Sequence, residues 1–178
     1  MKKRLFIGTF IDTTLMQFIY DEIKNDFNKV CTGKWVELEN LHFTFKFLGH
    51  VDEELIPELK DALKNYLKQF DSILQFKKFG VFPNTKKPNV LFCKTFNPDK
   101  IIFTAQKEMD EILTQFRFEK EKRKFLPHLT LLRIKKTEKN FPNILSFYYD
   151  YEIGSMLNFS INLIESKLNH KGPTYKII

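Results

Sequence analysis

Cysteine, arginine and long apolar runs are all in short supply in this chain. The two cysteines, Cys31 and Cys93, lie far apart. They fit no metal or redox spacing and read as small core or surface residues. A chain of 178 residues needs no disulfide, and so few thiols fit a reducing cytoplasm. No stretch approaches the roughly 20 apolar residues of a membrane-spanning helix. The opening MKKRLFIGTF has a basic start like that of a signal peptide. Its apolar run is short, however, and Asp12 interrupts it with no small-residue cleavage site behind, so it reads as a strand. Acidic residues are outnumbered, with 22 Asp and Glu against 29 Lys and Arg, a formal net charge of +7. That balance points to anionic partners such as nucleic acid. A general abundance of Lys, Phe, Ile and Asn also contributes to it. Only four of the basic residues are arginines, which makes each arginine informative.

What is present describes a globular protein. The hydrophobic content is 43%, and the length suffices for one or two compact lobes with a true core. Residues 4–11 open as a strand. Residues 13–30 place Leu15, Phe18, Ile19, Ile23, Phe27 and Val30 at helical spacing, with Gly33 as a stop. Residues 41–48 alternate as a strand, with Phe43, Phe45 and Phe47 read as buried. Asp52 is expected to cap a helix whose apolar stripe runs from Leu55 to Phe70. Residues 73–82 and 89–96 read as strands flanking a PNTKKP turn. Pro98 is expected to start a helix ending near Phe116. Residues 125–134 form a strand, and residues 155–168 the last long one. Residues 139–156 look irregular, a loop with a short helix or an edge strand.

The chain repeats itself. His42 and His128 are 86 residues apart, and the same shift lays the opening strand on residues 89–96. It lays the first helix on the helix after Pro98, and residues 73–80 on residues 159–166. Strand, helix, His-x-Thr strand and closing strand thus occur twice in order. The expectation is an α+β fold, one bilobal domain over residues 1–178. Two pseudo-symmetric lobes, each an antiparallel-rich sheet flanked by helices, would face each other across a central cleft.

Strand periodicity puts His42 and Thr44 on one face, and His128 and Thr130 on one face. Four polar groups would converge between the lobes. Such a set suits phosphodiester cleavage, where the nucleophile enters in line with the leaving oxygen and two protons move on opposite sides of phosphorus. A neutral imidazole can take a proton from water while a protonated one gives a proton to the leaving oxygen. Threonine hydroxyls can donate to the non-bridging oxygens. No carboxylate cluster stands beside either histidine to hold a metal, so neither metal nor cofactor is expected. Symmetry leaves open which histidine is acid and which is base.

Alternation also puts Lys46 on the His42 face, where it could reach phosphate or stand solvated. Arg133 falls opposite His128 and reaches the cleft only from the strand end or past a bulge. Its fork suits phosphate oxygens, which favours substrate contact. Leu132, by strict alternation, shares the His128 face and would narrow the cleft. Trp35 and Phe47 could stack on a base but are read as core, and His50 and His170 are read as surface.

With these residues on the page, the sequence resembles the RNA 2′,3′-cyclic phosphodiesterases of the two-histidine phosphoesterase superfamily, once called 2′-5′ RNA ligases. The likeness runs through RLFIGTFI, WVELENLHFTFKFLGHV, FGVFPNTKKPNVLF, FLPHLTLLR and LIESKLNHKGPTYKII. It implies His42 as proton donor to the leaving O3′ and His128 as the base that activates water. It implies Thr44, Thr130 and Arg133 as phosphate ligands. The implied reaction opens a terminal 2′,3′-cyclic phosphate and leaves a 2′-phosphate, without a metal. The implied partner is RNA with cyclic-phosphate ends, tRNA fragments among them, met by a cytoplasmic monomer and no membrane. Three alternatives stay open: ligation of such an end to a 5′-hydroxyl, a non-catalytic module that binds RNA ends, and a small cyclic nucleotide as substrate.

Overall fold

The structure, a computed structural model, describes residues 1–170 and 172–178. Eleven strands are formed among them. They are β1 (Lys2–Phe10), β2 (Cys31–Trp35), β3 (His42–Asp52), β4 (Gln69–Phe70), β5 (Leu74–Phe82) and β6 (Val90–Phe96). Beyond them lie β7 (His128–Thr137), β8 (Glu152–Met156), β9 (Phe159–Ser160), β10 (Asn162–Asn169) and β11 (Gly172–Ile177). Five α-helices accompany them: α1 (Thr13–Met16), α2 (Tyr20–Asn28), α3 (Ile56–Ala62), α4 (Ile101–Thr114) and α5 (Phe141–Phe147).

Two sheets carry the fold, in strand orders β11-β10-β1-β3 and β2-β7-β6-β5-β8, with β4 and β9 forming a small ladder. Their pairings are antiparallel. The α+β class and the antiparallel sheets are as the sequence led us to expect. One feature is not. The closing strands are exchanged: β5 pairs with β6 in the second sheet, while β10, from the end of the chain, pairs with β1 in the first. The reason is proximity. A turn of a few residues joins β5 to β6, so their hairpin closes at little entropic cost. The free edge of β1 is then filled by β10.

Helices back the sheets from outside the cleft. Phe27 of α2 stacks on Phe79 of β5 and meets Phe141 of α5 beneath the second sheet. Asp110 of α4 is ion-paired to Lys46 of β3 beneath the first. One hydrophobic cluster includes Ile7 and Phe43 of the first sheet together with Phe76 and Leu129 of the second. Each such side chain contributes about 1.5–3 kcal/mol by leaving water.

Several local expectations need correction. Residues 13–30 form two helices instead of one, and Phe18, counted in the apolar stripe, lies between them and points out at 81% exposure. The stripe from Leu55 ends as a helix at Ala62, and Phe70 pairs with Phe159 as a strand. Asp52 makes no side-chain cap and lies instead beside Lys2 across the β1–β3 ladder. Pro98 precedes the helix by a turn that Asn97 organises, its Oδ1 accepting from Ile102 N at 3.0 Å. Residues 139–156 hold both a short helix, α5, and an edge strand, β8. The short polar strands β2 and β11 were not expected at all. Among the described residues no helix is long and apolar enough to cross a membrane.

Candidate active site

The first histidine strand begins at the site. His42 lies opposite Phe10 of β1, and Thr44 opposite Gly8. Both are half-buried, while Phe43 between them is in the core. Then the register shifts. Lys46 pairs with Ile7 and Phe47 with Phe6, so Phe45 is an extra residue, a β-bulge. The bulge inverts the alternation. Phe47 turns out to 68% exposure, with its ring 6.0 Å from that of Phe6. It is not the core residue that alternation predicts.

The same inversion moves Lys46 off the His42 face. Its ammonium is ion-paired to Asp110 Oδ1 and donates to the Glu119 carbonyl. The two side chains are 10% and 6% exposed. The second oxygen of Asp110 accepts from Glu121 N at 3.0 Å. Lys46 is therefore a buried strut that ties β3 to α4 and to the segment leading into β7, and it faces away from the cleft.

The second histidine strand repeats the geometry. His128 lies opposite Lys94 of β6 and Thr130 opposite Phe92, both half-buried. Leu132 then pairs with Leu91 and Arg133 with Val90, which leaves Leu131 as the bulged residue. Leu131 and Leu132 are both fully buried, so Leu132 does not narrow the cleft, and Arg133 is turned out on the side of His128. Gly33 of β2 is essential to that neighbourhood. A Cβ there would collide with the Arg133 carbonyl oxygen.

Both imidazoles are held alike. His42 Nδ1 lies 2.7 Å from the Asn40 carbonyl oxygen, and His128 Nδ1 lies 2.6 Å from that of Leu126. A carbonyl only accepts, so Nδ1 carries the hydrogen and Nε2 of each neutral ring carries the lone pair. Asn40 is fixed in turn, its amide donating to the Pro173 carbonyl at 3.3 Å. Burial pushes the pKa of each histidine down, against the upward pull of the carbonyl. For His42 the charges of His128 and Arg133 push it down further. The three groups therefore share one field although they come from two sheets.

Aromatic rings frame both histidines. Phe6 and Tyr175 each have their centroids 4.9 Å from that of His42. Phe82 and Phe92 lie 5.0 and 5.4 Å from that of His128. Tyr175, on β11, escaped the sequence reading. Its hydroxyl pKa is raised by burial and drawn down by Arg133 and Arg4, so it stands in the same cleft. The alternation of Pro173, Tyr175 and Ile177 was the signal available for that strand. Trp35 is half-buried and packs against the core, as expected, with its Nε1 donating to Asn28 Oδ1 at 2.9 Å. His50 and His170 are exposed.

The model of the family described as LigT like Phosphoesterase matches residues 20–92. An RNA 2′,3′-cyclic phosphodiesterase of Methanocaldococcus jannaschii is 38% identical over 148 residues, covering 82% of each chain. This chain belongs to that family. The phosphodiesterase of the same name from Bacillus subtilis is 31% identical, with 100% of this chain and 95% of that protein covered. The fold is that of Thermus thermophilus TT0787, with a TM-score of 0.77 at 22% identity over 98% of this chain and 94% of that one. It is also that of Escherichia coli LigT complexed with 3′-AMP, with a TM-score of 0.77 at 19% identity over 100% and 96%. As a LigT-like phosphoesterase, the chain carries both histidine motifs at the start of a strand, each followed by a bulge.

Proposed function

We propose that this protein hydrolyses the 2′,3′-cyclic phosphate at the 3′ end of RNA to a 2′-phosphate, with His42 and His128 as its acid and base. The observation that carries the reading is the matched pair of imidazoles. Each is clamped through Nδ1 by a backbone carbonyl, and each is left with Nε2 for proton transfer. The names of the relatives supply the substrate class.

The chemistry follows from that geometry. His128 Nε2, neutral, takes a proton from water as the water oxygen attacks phosphorus. The bond from phosphorus to O3′ breaks on the far side. His42 Nε2–H gives its proton to O3′, and the 2′-phosphate remains. The division of roles rests on the family resemblance, since the two clamps are alike. Arg133, turned to the side of His128, pairs with the non-bridging oxygens, and Thr44 and Thr130 donate to them. Each imidazole positioned in this way is worth about 10²–10⁴ in rate. None of these steps calls on a metal. The reading extends to a cytoplasmic monomer, for which the two buried free thiols are a fitting trait, and to RNA fragments, those of tRNA included, as substrates.

The test uses purified protein, EDTA and a short RNA ending in 2′,3′-cyclic phosphate, with His42→Ala and His128→Ala in parallel. A 2′-phosphate product from the wild type alone is expected. Binding of the cyclic end by all three proteins without any product would make the chain a reader of RNA ends instead.

A further inference from the structure

The bulge at Leu131 decides which side chain of β7 stands beside His128. Without the extra residue, period-two alternation would turn Leu132 to that side and Arg133 away from it. The carbonyl of the bulged residue is held twice. Val36, which follows β2, donates its N–H to the Leu131 oxygen at 2.9 Å. The hydroxyl of Tyr20, in the first turn of α2, lies 3.2 Å from the same oxygen and 2.7 Å from the Val36 carbonyl oxygen. Carbonyls only accept, so one hydroxyl hydrogen serves two strands at the point where the ladder is broken. Tyr20 is 2% exposed, and its ring is fixed in turn. Trp35 meets it edge-on at 5.8 Å, and Lys24 Nζ lies 4.3 Å over its face. Burial and the charge of Glu37 raise the pKa of the hydroxyl, so it stays a donor. The residues 86 positions from Tyr20 and from Arg133 are Gln106 and Phe47. The tyrosine and the arginine are thus unmatched together.

We propose that Tyr20 is a positioning residue for the reaction: its hydroxyl pins the bulge that turns Arg133 to the side of His128. The inference rests on the reading of Arg133 as a phosphate ligand and adds the group that sets it in place. Tyr20 acts through the backbone and touches no substrate. A buried hydroxyl that bridges two carbonyls leaves both short of a donor when it is removed, and water does not reach them to replace it. The strand is then free to relax towards the unbulged register, which carries the guanidinium away from the phosphate.

The test is Tyr20→Phe, which removes the hydroxyl and keeps the ring, alone and combined with Arg133→Ala. Wild type, the two single variants and the double variant are compared by kcat and KM on the cyclic end, by urea midpoint and by the His42 ring titration in NMR. Tyr20→Phe is expected to lower kcat/KM about ten-fold, within the roughly 10²-fold that a 1 Å misplacement can cost. In the Arg133→Ala background the same change should cost nothing further, because the group that it positions is gone. The His42 signal should titrate at a higher pH in Tyr20→Phe, because the guanidinium that presses on it has moved. It should rise no further in the double variant than in Arg133→Ala. An equal loss of kcat/KM in both backgrounds overturns the proposal. So does an unchanged rate with an unchanged His42 titration, whatever the urea midpoint, since the hydroxyl would then serve stability alone. The His42 shift without turnover by the wild type would leave the positioning role standing and remove the hydrolase.

Discussion

In β3 the bulge at Phe45 turns Phe47 outward, and in β7 the bulge at Leu131 turns Arg133 outward. The two bulges are 86 residues apart, as are the two histidines, the two clamping carbonyls at Asn40 and Leu126, and Phe47 and Arg133 themselves. The backbone device is duplicated, while the residue it presents is not. On the proposed mechanism the difference has a chemical reason. Two proton transfers on opposite sides of phosphorus call for two imidazoles held alike. The charge of Arg133 bears on His42 and presses that imidazole towards neutrality. Lys46, the other cation near His42 in sequence, is taken out of the cleft and neutralised by Asp110.

The comparison can be broken most forcefully at the duplicated part. His42→Ala and His128→Ala should each lower kcat by about 10²–10⁴. The double variant should lose little more than the worse single one, because the two act in one step. Steady-state rates on the cyclic end check this. A single variant with near wild-type rate would mean that only one half of the device is used.

Next in size is the buried strut. Removing one partner of a buried ion pair costs about 3–5 kcal/mol, because the other charge is stranded, whereas replacing both by apolar residues is close to neutral. Asp110→Ala should therefore destabilise the fold strongly in urea. Lys46→Met with Asp110→Leu should recover most of the loss, and with it the activity. A catalytic role for Lys46 would leave the double variant stable and inactive.

That strut shows where the sequence stops being legible. His42, Thr44, His128 and Thr130 lie before the bulges, so period-two alternation places them correctly. Lys46, Phe47, Leu132 and Arg133 lie beyond them. An extra residue in a ladder leaves no mark in composition, because it depends on the partner strand. Alternation therefore misplaces Lys46, Phe47 and Leu132, and allows Arg133 only through the bulge that is indeed present. The sheets were legible as classes for a similar reason. Apolar runs marked β1, β3, β5, β6 and β7, but the exchange of β5 and β10 is settled by which edges are free. β2 and β11, largely exposed edge strands, carry too little apolar signal to be read.

At the unmatched position the expected effect is smaller. Arg133→Ala should lower kcat/KM about 10²-fold, as expected for a lost charge-assisted donor to the transferring phosphate. Arg133→Lys should recover only part, since the planar fork is gone. Phe47→Arg in the Arg133→Ala background should not substitute, if the cation is needed from the His128 side. Equal recovery by that relocated arginine would show that the two halves are interchangeable after all.

The finest distinction is electrostatic. Partial burial disfavours the charged form of both imidazoles, so both titrate below the ordinary value of about 6.5. The reactive form has one ring protonated and the other neutral. Its population peaks midway between the two pKa values, whichever ring has the higher one. The kcat/KM optimum of the free enzyme should accordingly lie below pH 6.5. Arg133 depresses His42 by like charge, and its removal makes the imidazolium of His42 easier to form. In Arg133→Ala the His42 ring signal followed by NMR should titrate at a higher pH than in the wild type. The optimum should move in the same direction, because one of the two values has risen. Movement of the His128 signal alone would place the guanidinium against the wrong ring and reverse the contrast between the two strands.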